Sequence, residues 1–399
     1  MSNTSTGRIL YTGDGMFDGV TGTTVAGQGL LVEDDTVVAV GPVADLTSAD
    51  TRRRSFTGVI APGFVDAHTH ITIRPGEGDQ HGQLRKPTAW QTIRGLRNLG
   101  RMLASGVTTA RIMMERDDID FEYRDAIARG EVVGPRLRVC GSGLSPPGGH
   151  GAGPDGVAGV DALRAAVRER AAKGADHIKM FTTGGVSSTD SSLLQSNYSA
   201  DEIGAVIEEA ANAGLTVGAH AHGGPGVDLA VERGIHSIEH GAMLTRDSLD
   251  RMAEKGTWLV LTNSILFHPD GIENGDAMSP PIMQKVIEAR SFVEQHTGEV
   301  RDSGVRIALG TDSMHGYFGF EMQWLVAHGW TPEDAMLAAT SAAGALIGDP
   351  YAGRLRAGGP ADFVVLRRDP LRDIDAVTEV EYVFRAGGEL VSPGGVVAR

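Results

Sequence analysis

Residues 63–70 read GFVDAHTH, an apolar run that ends in two histidines separated by one residue. Side chains two positions apart on a β-strand point to the same face, so the imidazoles of His68 and His70 can reach one metal ion. Taken alone, the pair could also be two unrelated histidines, although this interpretation is the weaker one. The other strand-like segments of the chain decide between these interpretations.

Apolar and β-branched runs recur after this one and alternate with helical patterns, as at residues 161–173, 200–213 and 280–302. The eight predicted strands are residues 63–68, 108–113, 136–141, 177–181, 216–220, 237–240, 258–262 and 306–312. Eight strands that alternate with helices predict an α/β fold, namely a (β/α)8 TIM barrel. Active sites of such barrels form at the C-terminal ends of the strands.

The two ends of the chain differ from its middle, because they contain short β-rich segments separated by Gly and Asp turns. The predicted strands there are residues 9–11, 29–33 and 36–40, and then 363–366, 380–384 and 389–391. Neither end is long enough to bury a core alone, so we expect one composite β-domain. Residues 1–60 would form its N-terminal segment, residues 61–355 the barrel, and residues 356–399 its C-terminal segment. The basic run at residues 52–54 is expected to be a solvated surface loop.

Four further strand ends carry residues that can bind metal ions. Lys179 alternates with the apolar Ile178 and Met180 and should therefore point into the barrel, where an unpaired amine is costly. Condensation of this amine with CO₂ would give a carbamate anion, whose two oxygens can bridge two cations. The other three strand ends carry His220, His240 and Asp312. This pattern predicts a metal centre, for which imidazole and carboxylate ligands favour zinc, with manganese and cobalt as alternatives.

Motifs along nearly the whole chain resemble the amidohydrolase superfamily, in particular the branch of Xaa-Pro dipeptidases, related carboxypeptidases and imidazolonepropionase-like proteins. The motifs are GFVDAHTH (63–70), GVTT (106–109), HIK (177–179), IEHG (238–241), GTDS (310–313), TPEDAM (331–336) and GPADFVVL (359–366). The last of these matches the return of the chain into the family's composite β-sandwich.

The resemblance implies a ligand set for two divalent metal ions. His68 and His70 would hold one ion, and His220 and His240 the other. N6-carboxylated Lys179 would bridge the two, and Asp312 would be both a ligand and the proton shuttle. A hydroxide shared by two such ions can attack a carbonyl near neutral pH, because zinc lowers the pKa of bound water to about 7. Asp312 would pass a proton to the departing amine.

Three other residues are predicted to lie near the substrate. His150 follows a Gly-Gly pair, as in the related peptidases, and could donate to the carbonyl oxygen or the developing oxyanion. His222 shares the inward parity of His220, although family members often carry Tyr there. Tyr198 is either a substrate-binding residue or a packing residue. Six histidines are expected to be structural or at the surface, with His315 near enough to Asp312 to line the pocket: His81, His236, His268, His296, His315 and His328.

These features predict a hydrolase that cleaves an amide-type C–N bond. An N-acyl amino acid or a dipeptide is the favoured substrate, and a carbamate, urea or aryl amide is the alternative. A deaminase of the same superfamily is disfavoured, because such enzymes usually lack the bridging lysine that Lys179 provides. A non-catalytic scaffold protein on this fold is disfavoured as well, because such relatives typically lose metal ligands that are all present here.

Composition restricts the partners and the cellular location. A formal net charge of −15 argues against binding to nucleic acid or anionic membranes. No apolar stretch approaches the roughly 20 residues of a membrane span, and residues 1–9 lack a signal-peptide pattern. The lone Cys140 fits a reducing compartment. We therefore expect a cytoplasmic protein with a small-molecule substrate. The resemblance to the amidohydrolase superfamily further implies that the protein forms a homo-oligomer.

Overall fold

The computed structural model describes residues 7–151 and 156–397. The beginning of the chain forms short strands that are separated by glycine-containing turns. They are β1 (Ile9–Thr12), β2 (Gly15–Phe17), β3 (Thr24–Val25), β4 (Gln28–Glu33), β5 (Thr36–Pro42), β6 (Arg52–Ser55) and β7 (Val59–Pro62), with the short helix α1 (Val43–Leu46) after β5. Four of these strands make one sheet in the order β5-β4-β1-β6.

The prediction of a loop at residues 52–54 is wrong, because these residues belong to β6. The backbone of β6 pairs in parallel with β1, from Ile9 opposite Arg52 to Thr12 opposite Ser55. The guanidinium carbon of Arg54 lies 5.0 Å from the centre of the Phe56 ring. Charged side chains at a sheet edge can stay in water while the backbone completes the sheet, so a basic run does not by itself indicate a loop.

The middle of the chain forms eight parallel strands, in agreement with the predicted number and order. They are β8 (Phe64–Thr69), β9 (Val107–Ile112), β10 (Arg136–Arg138), β11 (His177–Phe181), β12 (Thr216–Ala221), β13 (Ser237–His240), β14 (Trp258–Leu261) and β15 (Arg306–Leu309). They make a sheet of order β10-β9-β8 and a sheet of order β11-β12-β13-β14-β15. β10 and β15 end earlier than predicted.

Backbone hydrogen bonds connect these two sheets at both of their edges. The amide of Asp312, just beyond β15, donates to the carbonyl of His68 on β8 over 2.9 Å. At the other edge, the amide of Leu144, beyond β10, donates to the carbonyl of Lys179 on β11 over 2.8 Å. The first of these bonds brings two predicted metal ligands together.

Helices connect the parallel strands and pack their apolar faces on them. They are α2 (Gln80–Leu84), α3 (Thr88–Ala104), α4 (Ile119–Ala128), α5 (Val160–Ala172), α6 (Ala200–Asn212), α7 (Pro225–Glu232), α8 (Arg246–Lys255), α9 (Asn263–Phe267), α10 (Ile272–Asp276), α11 (Pro280–Arg301), α12 (Phe318–Ala327), α13 (Pro332–Ala338) and α14 (Ser341–Leu346). Three 3-10 turns cover Pro75–Glu77, Arg116–Asp118 and Ile374–Thr378. In the described ranges, 7–151 and 156–397, no helix is both long and apolar enough to cross a membrane.

The last strands return to the first ones. They are β16 (Phe363–Leu366), β17 (Val380–Arg385), β18 (Gly388–Ser392) and β19 (Gly395–Val396). β16 pairs antiparallel with β7, so that strands from both ends share a seven-stranded sheet of order β19-β18-β17-β16-β7-β2-β3. An aromatic cluster of Tyr11, Phe363 and Phe384 packs β1 against β16 and β17, with the two phenylalanine rings stacked 4.3 Å apart.

Candidate metal centre and active site

A cavity of about 690 Å³ lies at the C-terminal ends of the parallel strands. It is lined by eight of the nine predicted site residues. They are His68, His70, His150, Lys179, His220, His222, His240 and Asp312. The strand ends place them there because β-strands in parallel register finish at one edge of a sheet, so residues distant in sequence converge.

The two histidines at the end of β8 are oriented through the same ring atom. Nδ1 of His68 lies 2.8 Å from Oε2 of Glu239, and Nδ1 of His70 lies 2.8 Å from the carbonyl oxygen of Met114. The Nε2 atoms of both rings point to Asp312, at 3.5 and 3.4 Å from its Oδ1. Hydrogen bonding at Nδ1 leaves Nε2 of each ring available as a ligand.

Asp312 and His240 stand on strained backbone. Their φ angles are 45° and 72°, and Ser313 and Met114 beside the cavity also have positive φ angles. Residues other than glycine adopt this region at a cost, and such strain is concentrated at functional sites. Ligand atoms of His68, His240 and Asp312 all lie within 4.8 Å of one another. The turns therefore bring these side chains together at the cost of local backbone energy.

The surrounding imidazoles keep Asp312 ionised. Burial alone would raise the pKa of its carboxyl group, but the neighbouring His68, His70 and His240 hold it well below the usual value. Burial lowers the pKa of His240 and His220 well below that of a free histidine. The cavity thus holds a carboxylate beside imidazoles, and a cation bound there would take the place of the protons on the imidazole nitrogens that face Asp312.

Lys179 is the most unusual side chain of the site. It is 1% exposed, and no atom of the described residues forms a hydrogen bond with its Nζ. Burial lowers the pKa of Lys179 to about 8. The amine lies 5.0 Å from the centre of the Phe181 ring. A buried amine of this kind is costly, and it is available for carboxylation because a neutral amine is a nucleophile.

His220 and His222 both face the cavity at the end of β12, as the alternation along the strand predicts. The ring of His220 lies 4.7 Å from that of His240, and its Nε2 lies 3.2 Å from the carbonyl oxygen of Gly184. Neither ring nitrogen of His222 has a hydrogen-bond partner within the described stretches of the chain. Burial lowers the pKa of His222 to about 4.

Glu239 and Arg111 form a supporting layer that was not predicted from the sequence. Oε2 of Glu239 contacts Nδ1 of His68, and its Oε1 accepts from Nη1 of Arg111 over 3.0 Å. Burial would raise the pKa of Glu239, but Arg111 and His68 lower it below its usual value. The signal was present in the sequence: Ile238 points outward, so Glu239 must point inward, directly before His240.

The residues that line the cavity correct two predictions, those for His81 and His315. His81, expected to be structural or at the surface, lines the cavity, with its ring 5.4 Å from that of His150. His315 does not line this cavity but a neighbouring cleft with Arg74. The hydroxyl of Tyr198 donates to the carbonyl oxygen of Val157 over 2.8 Å, and Tyr198 is not among the residues that line the cavity.

The arrangement fits metal ions. Buried polar atoms without partners cost about 1–3 kcal/mol each. Among the described residues of this cavity, the atoms without a hydrogen-bond partner include Nε2 of His68, Nζ of Lys179 and both ring nitrogens of His222. A cluster of such atoms around a carboxylate indicates a cationic ligand, since burial without compensation would destabilise the fold. Imidazole and carboxylate donors suit a divalent ion such as zinc.

The chain is similar in sequence and in overall structure to known proteins. The chain matches the model of the amidohydrolase family over residues 59–390. Ochratoxinase from Aspergillus niger is 31% identical over 406 residues, which cover 92% of this chain and 83% of the relative. Its crystal structure has a TM-score of 0.85 at 28% identity and covers 98% of each chain.

Two further relatives belong to the branch predicted from the sequence. The structure of a Xaa-Pro dipeptidase with bound methionine has a TM-score of 0.87 at 25% identity, and the match covers 96% of this chain and 99% of the other. Imidazolonepropionase from Salinispora tropica is 25% identical over 408 residues, which cover 92% of this chain and 93% of the relative. The predicted resemblance is confirmed, and the chain belongs to the amidohydrolase family as a hydrolase acting on amide-type C–N bonds.

Proposed function

We propose that this chain is a binuclear metal-dependent hydrolase that cleaves the amide bond of an N-acyl amino acid or a dipeptide. The observation that carries the proposal is the buried amine of Lys179, which has no partner among the described residues and lies in a cavity with four candidate histidine ligands and Asp312. The eight parallel strands support a (β/α)8 barrel of residues 61–355, and the shared terminal sheet supports a composite β-sandwich of residues 1–60 and 356–399.

The proposed ligands divide into two sets. His68 and His70 would hold one metal ion, His220 and His240 would hold the other, and carboxylated Lys179 would bridge them. Asp312 would contribute a carboxylate oxygen to the centre. Bound divalent ions, most simply Zn²⁺, would polarise the substrate carbonyl and lower the pKa of water.

Asp312 is the proposed proton carrier. Its carboxylate is held in the ionised form by the adjacent imidazoles, so one oxygen can accept a proton from the attacking water. The same proton then goes to the amine nitrogen, since an amide anion is too basic to leave. His150 and His222 line the cavity beside this group and are the proposed contacts to the substrate. Tyr198 is proposed to act on the substrate site indirectly. Its hydroxyl donates to the carbonyl oxygen of Val157, which lies in the same connection between β10 and α5 as His150.

The walls of the cavity favour an apolar substituent on the substrate. Apart from the histidines, the cavity is walled mainly by apolar side chains. Examples are Ile73, Leu84, Met114, Phe181, Val186, Ile265, Leu266 and Ile272. Burial of apolar area contributes about 25 cal/mol per Å², so a bulky apolar group adjacent to the amide would add affinity. The name of one relative, a Xaa-Pro dipeptidase, supports an amide of an amino acid.

A carbamate, urea or aryl amide is the second candidate substrate. The cavity lining in the described chain contains no arginine that could bind a substrate carboxylate. Lys285, on the neighbouring helix α11, is engaged with carbonyl oxygens, one of them that of Ser188 at 2.6 Å. A neutral substrate would not need a cationic partner, and this observation favours the second candidate.

A hydrolysis screen with metal-loaded protein separates the two candidates. The substrates are N-acyl amino acids and dipeptides with large apolar groups, set against aryl carbamates, phenylureas and aryl amides that lack a carboxylate. We expect the highest kcat/KM on the N-acyl amino acids. A preference for the uncharged set would favour the second candidate over the first, and no hydrolysis of either set would contradict the proposed function.

We also propose that the protein is cytoplasmic and forms a homo-oligomer. The single cysteine, Cys140, is buried and supports a reducing compartment. The homo-oligomer is implied by the resemblance to the amidohydrolase superfamily, whose members often form homo-oligomers. Light scattering on the purified protein would measure its mass, and a monomer at micromolar concentration would contradict the proposed self-association.

A further inference from the structure

The loop between β11 and α6 places one hydroxyl between two histidines at the cavity wall. Oγ of Ser188 lies 2.6 Å from Nδ1 of His150 and 3.1 Å from Nε2 of His81. The three residues come from separate segments: the loop after β11, the loop after β10, and α2. The contact therefore exists only in the folded chain.

The hydroxyl of Ser188 has a single proton to donate, so it donates to one of the two rings and accepts from the other. Hydrogen bonds donated by hydroxyl groups are typically shorter than those donated by N–H groups. The shorter contact, to Nδ1 of His150, therefore favours Ser188 as its donor, and Nε2–H of His81 is then the donor of the longer contact. A neutral imidazole that accepts at Nδ1 carries its proton on Nε2.

We propose that Ser188 is a positioning residue that holds His150 in the tautomer with the proton on Nε2, so that this N–H donates to the carbonyl oxygen of the amide substrate. The inference rests on the proposed function, because it assigns a task to His150 in amide hydrolysis. Within the described residues, Ser188 is the partner of Nδ1 of His150, and the ring of His150 lines the cavity. Nε2 is then the ring nitrogen available to the substrate.

The surroundings of the loop fix Ser188 in this place. Nζ of Lys285 on α11 donates to the carbonyl oxygens of Ser188, at 2.6 Å, and of Ser191. A methyl group at Gly185 would overlap the ring of His150. Three contacts therefore constrain this loop: the close approach of His150 to Gly185, the hydroxyl of Ser188, and the ammonium group of Lys285. A loop that only connects two elements at the surface would not require all three.

The first test compares Ser188→Ala with Ser188→Thr and with Thr189→Ala, an exposed neighbour on the same loop. We expect Ser188→Ala to lower kcat by about 10–100-fold, as is typical when the hydrogen-bond partner of a functional histidine is removed. KM and metal content should stay close to wild type. Ser188→Thr should retain most of the activity because it keeps the hydroxyl, and Thr189→Ala should match wild type. Equal kcat in Ser188→Ala, or a loss of metal from it, would overturn the proposal.

The second test measures the tautomer of His150 directly and does not depend on catalytic activity. Nitrogen-15 NMR of histidine-labelled, metal-loaded protein distinguishes the protonated ring nitrogen, and the His150 signals are assigned by their absence in His150→Asn. We expect Nε2–H in wild type and a mixture or reversal in Ser188→Ala. An unchanged tautomer would overturn the role of Ser188. Failure of wild type to hydrolyse any amide would instead contradict the proposed function, so the two failures are distinguishable.

Discussion

The aromatic cluster of the terminal strands and the histidine cavity are both buried, but they are built in opposite ways. Tyr11, Phe363 and Phe384 are each at most 3% exposed, and their ring centres lie 4.3–5.4 Å from one another. The cavity instead contains nitrogens that have no hydrogen-bond partner among the described residues and two proposed ligands, His240 and Asp312, with positive φ angles. Apolar contacts such as those of the aromatic cluster stabilise the fold. Unpartnered polar atoms and strained backbone lower the stability of the fold, and proteins keep them where they serve chemistry. Substitutions in the two regions should therefore have different readouts.

Asp312→Asn should have the largest effect on the catalytic side of this comparison. The change keeps the shape and one oxygen ligand but removes the proton acceptor, and such groups contribute about 10²–10⁴-fold to the rate. We expect a folded protein that retains metal and loses at least a hundredfold in kcat. Circular dichroism, metal analysis and steady-state kinetics check this. Activity above a tenth of wild type would remove Asp312 from the proton-transfer role.

Phe384→Ala tests the opposite region. Removal of a buried phenylalanine costs about 3–5 kcal/mol of unfolding free energy. We expect a large fall in the midpoint of urea denaturation, with kcat per folded molecule unchanged. Val396→Ala, at an exposed position of the same sheet, is the matched control. A selective loss of kcat in the folded Phe384 variant would show that the two regions are not independent.

Glu239→Gln tests a residue that shares features of both regions. Glu239 is buried like the aromatic cluster, but its carboxylate contacts the proposed metal ligand His68. The amide keeps the shape but weakens the contacts to His68 and leaves Arg111 without a charged partner. We expect about a 10–100-fold loss of metal affinity or activity, measured by competition with a chelator. Glu254→Gln, an exposed position on α8, serves as the control. Unchanged metal affinity and activity would mean that Glu239 serves stability alone.

We expect the smallest difference between substitutions of His220 and His222, because both side chains face the same cavity and differ only in their proposed roles. His220→Asn is expected to reduce metal content, because His220 lies near the end of the rigid strand β12. His222→Asn should keep both metals and mainly impair turnover or substrate binding. Metal content and kinetics of the two variants decide the question, and the reverse pattern would exchange their roles.

Periodicity was sufficient for site residues on regularly alternating strands, whereas His240, which follows the inward Glu239, reaches the cavity on a backbone with a positive φ angle. Alternation along β11 placed Lys179 inward, and the strand ends brought the predicted ligands into one cavity. It was not sufficient for loops. His81 reaches the cavity because α2 folds over it, and its neighbour Ser188 is held by Lys285 on α11, nearly a hundred residues later in the chain. Contacts of this kind depend on tertiary structure and leave no local pattern.

The residues of the supporting layer were predictable in principle. Arg111 alternates with outward Ala110 and Ile112, and Glu239 alternates with Ile238, so parity places both inside. Two opposite charges at inward positions of different strands predict a buried ion pair, which the structure contains at 3.0 Å. The β6 strand was missed for a different reason, because its pairing with β1 leaves charged side chains at an edge.

The central claim is that Lys179 bridges two metal ions, and metal analysis of Lys179→Ala tests it most directly. Wild-type protein loaded with Zn²⁺ in the presence of bicarbonate should hold two ions per chain. We predict that Lys179→Ala loses at least one ion together with its activity, and that acetate or propionate restores some of both by supplying bridging oxygens. A Lys179→Ala variant that binds two ions and turns over normally without additives would contradict the account.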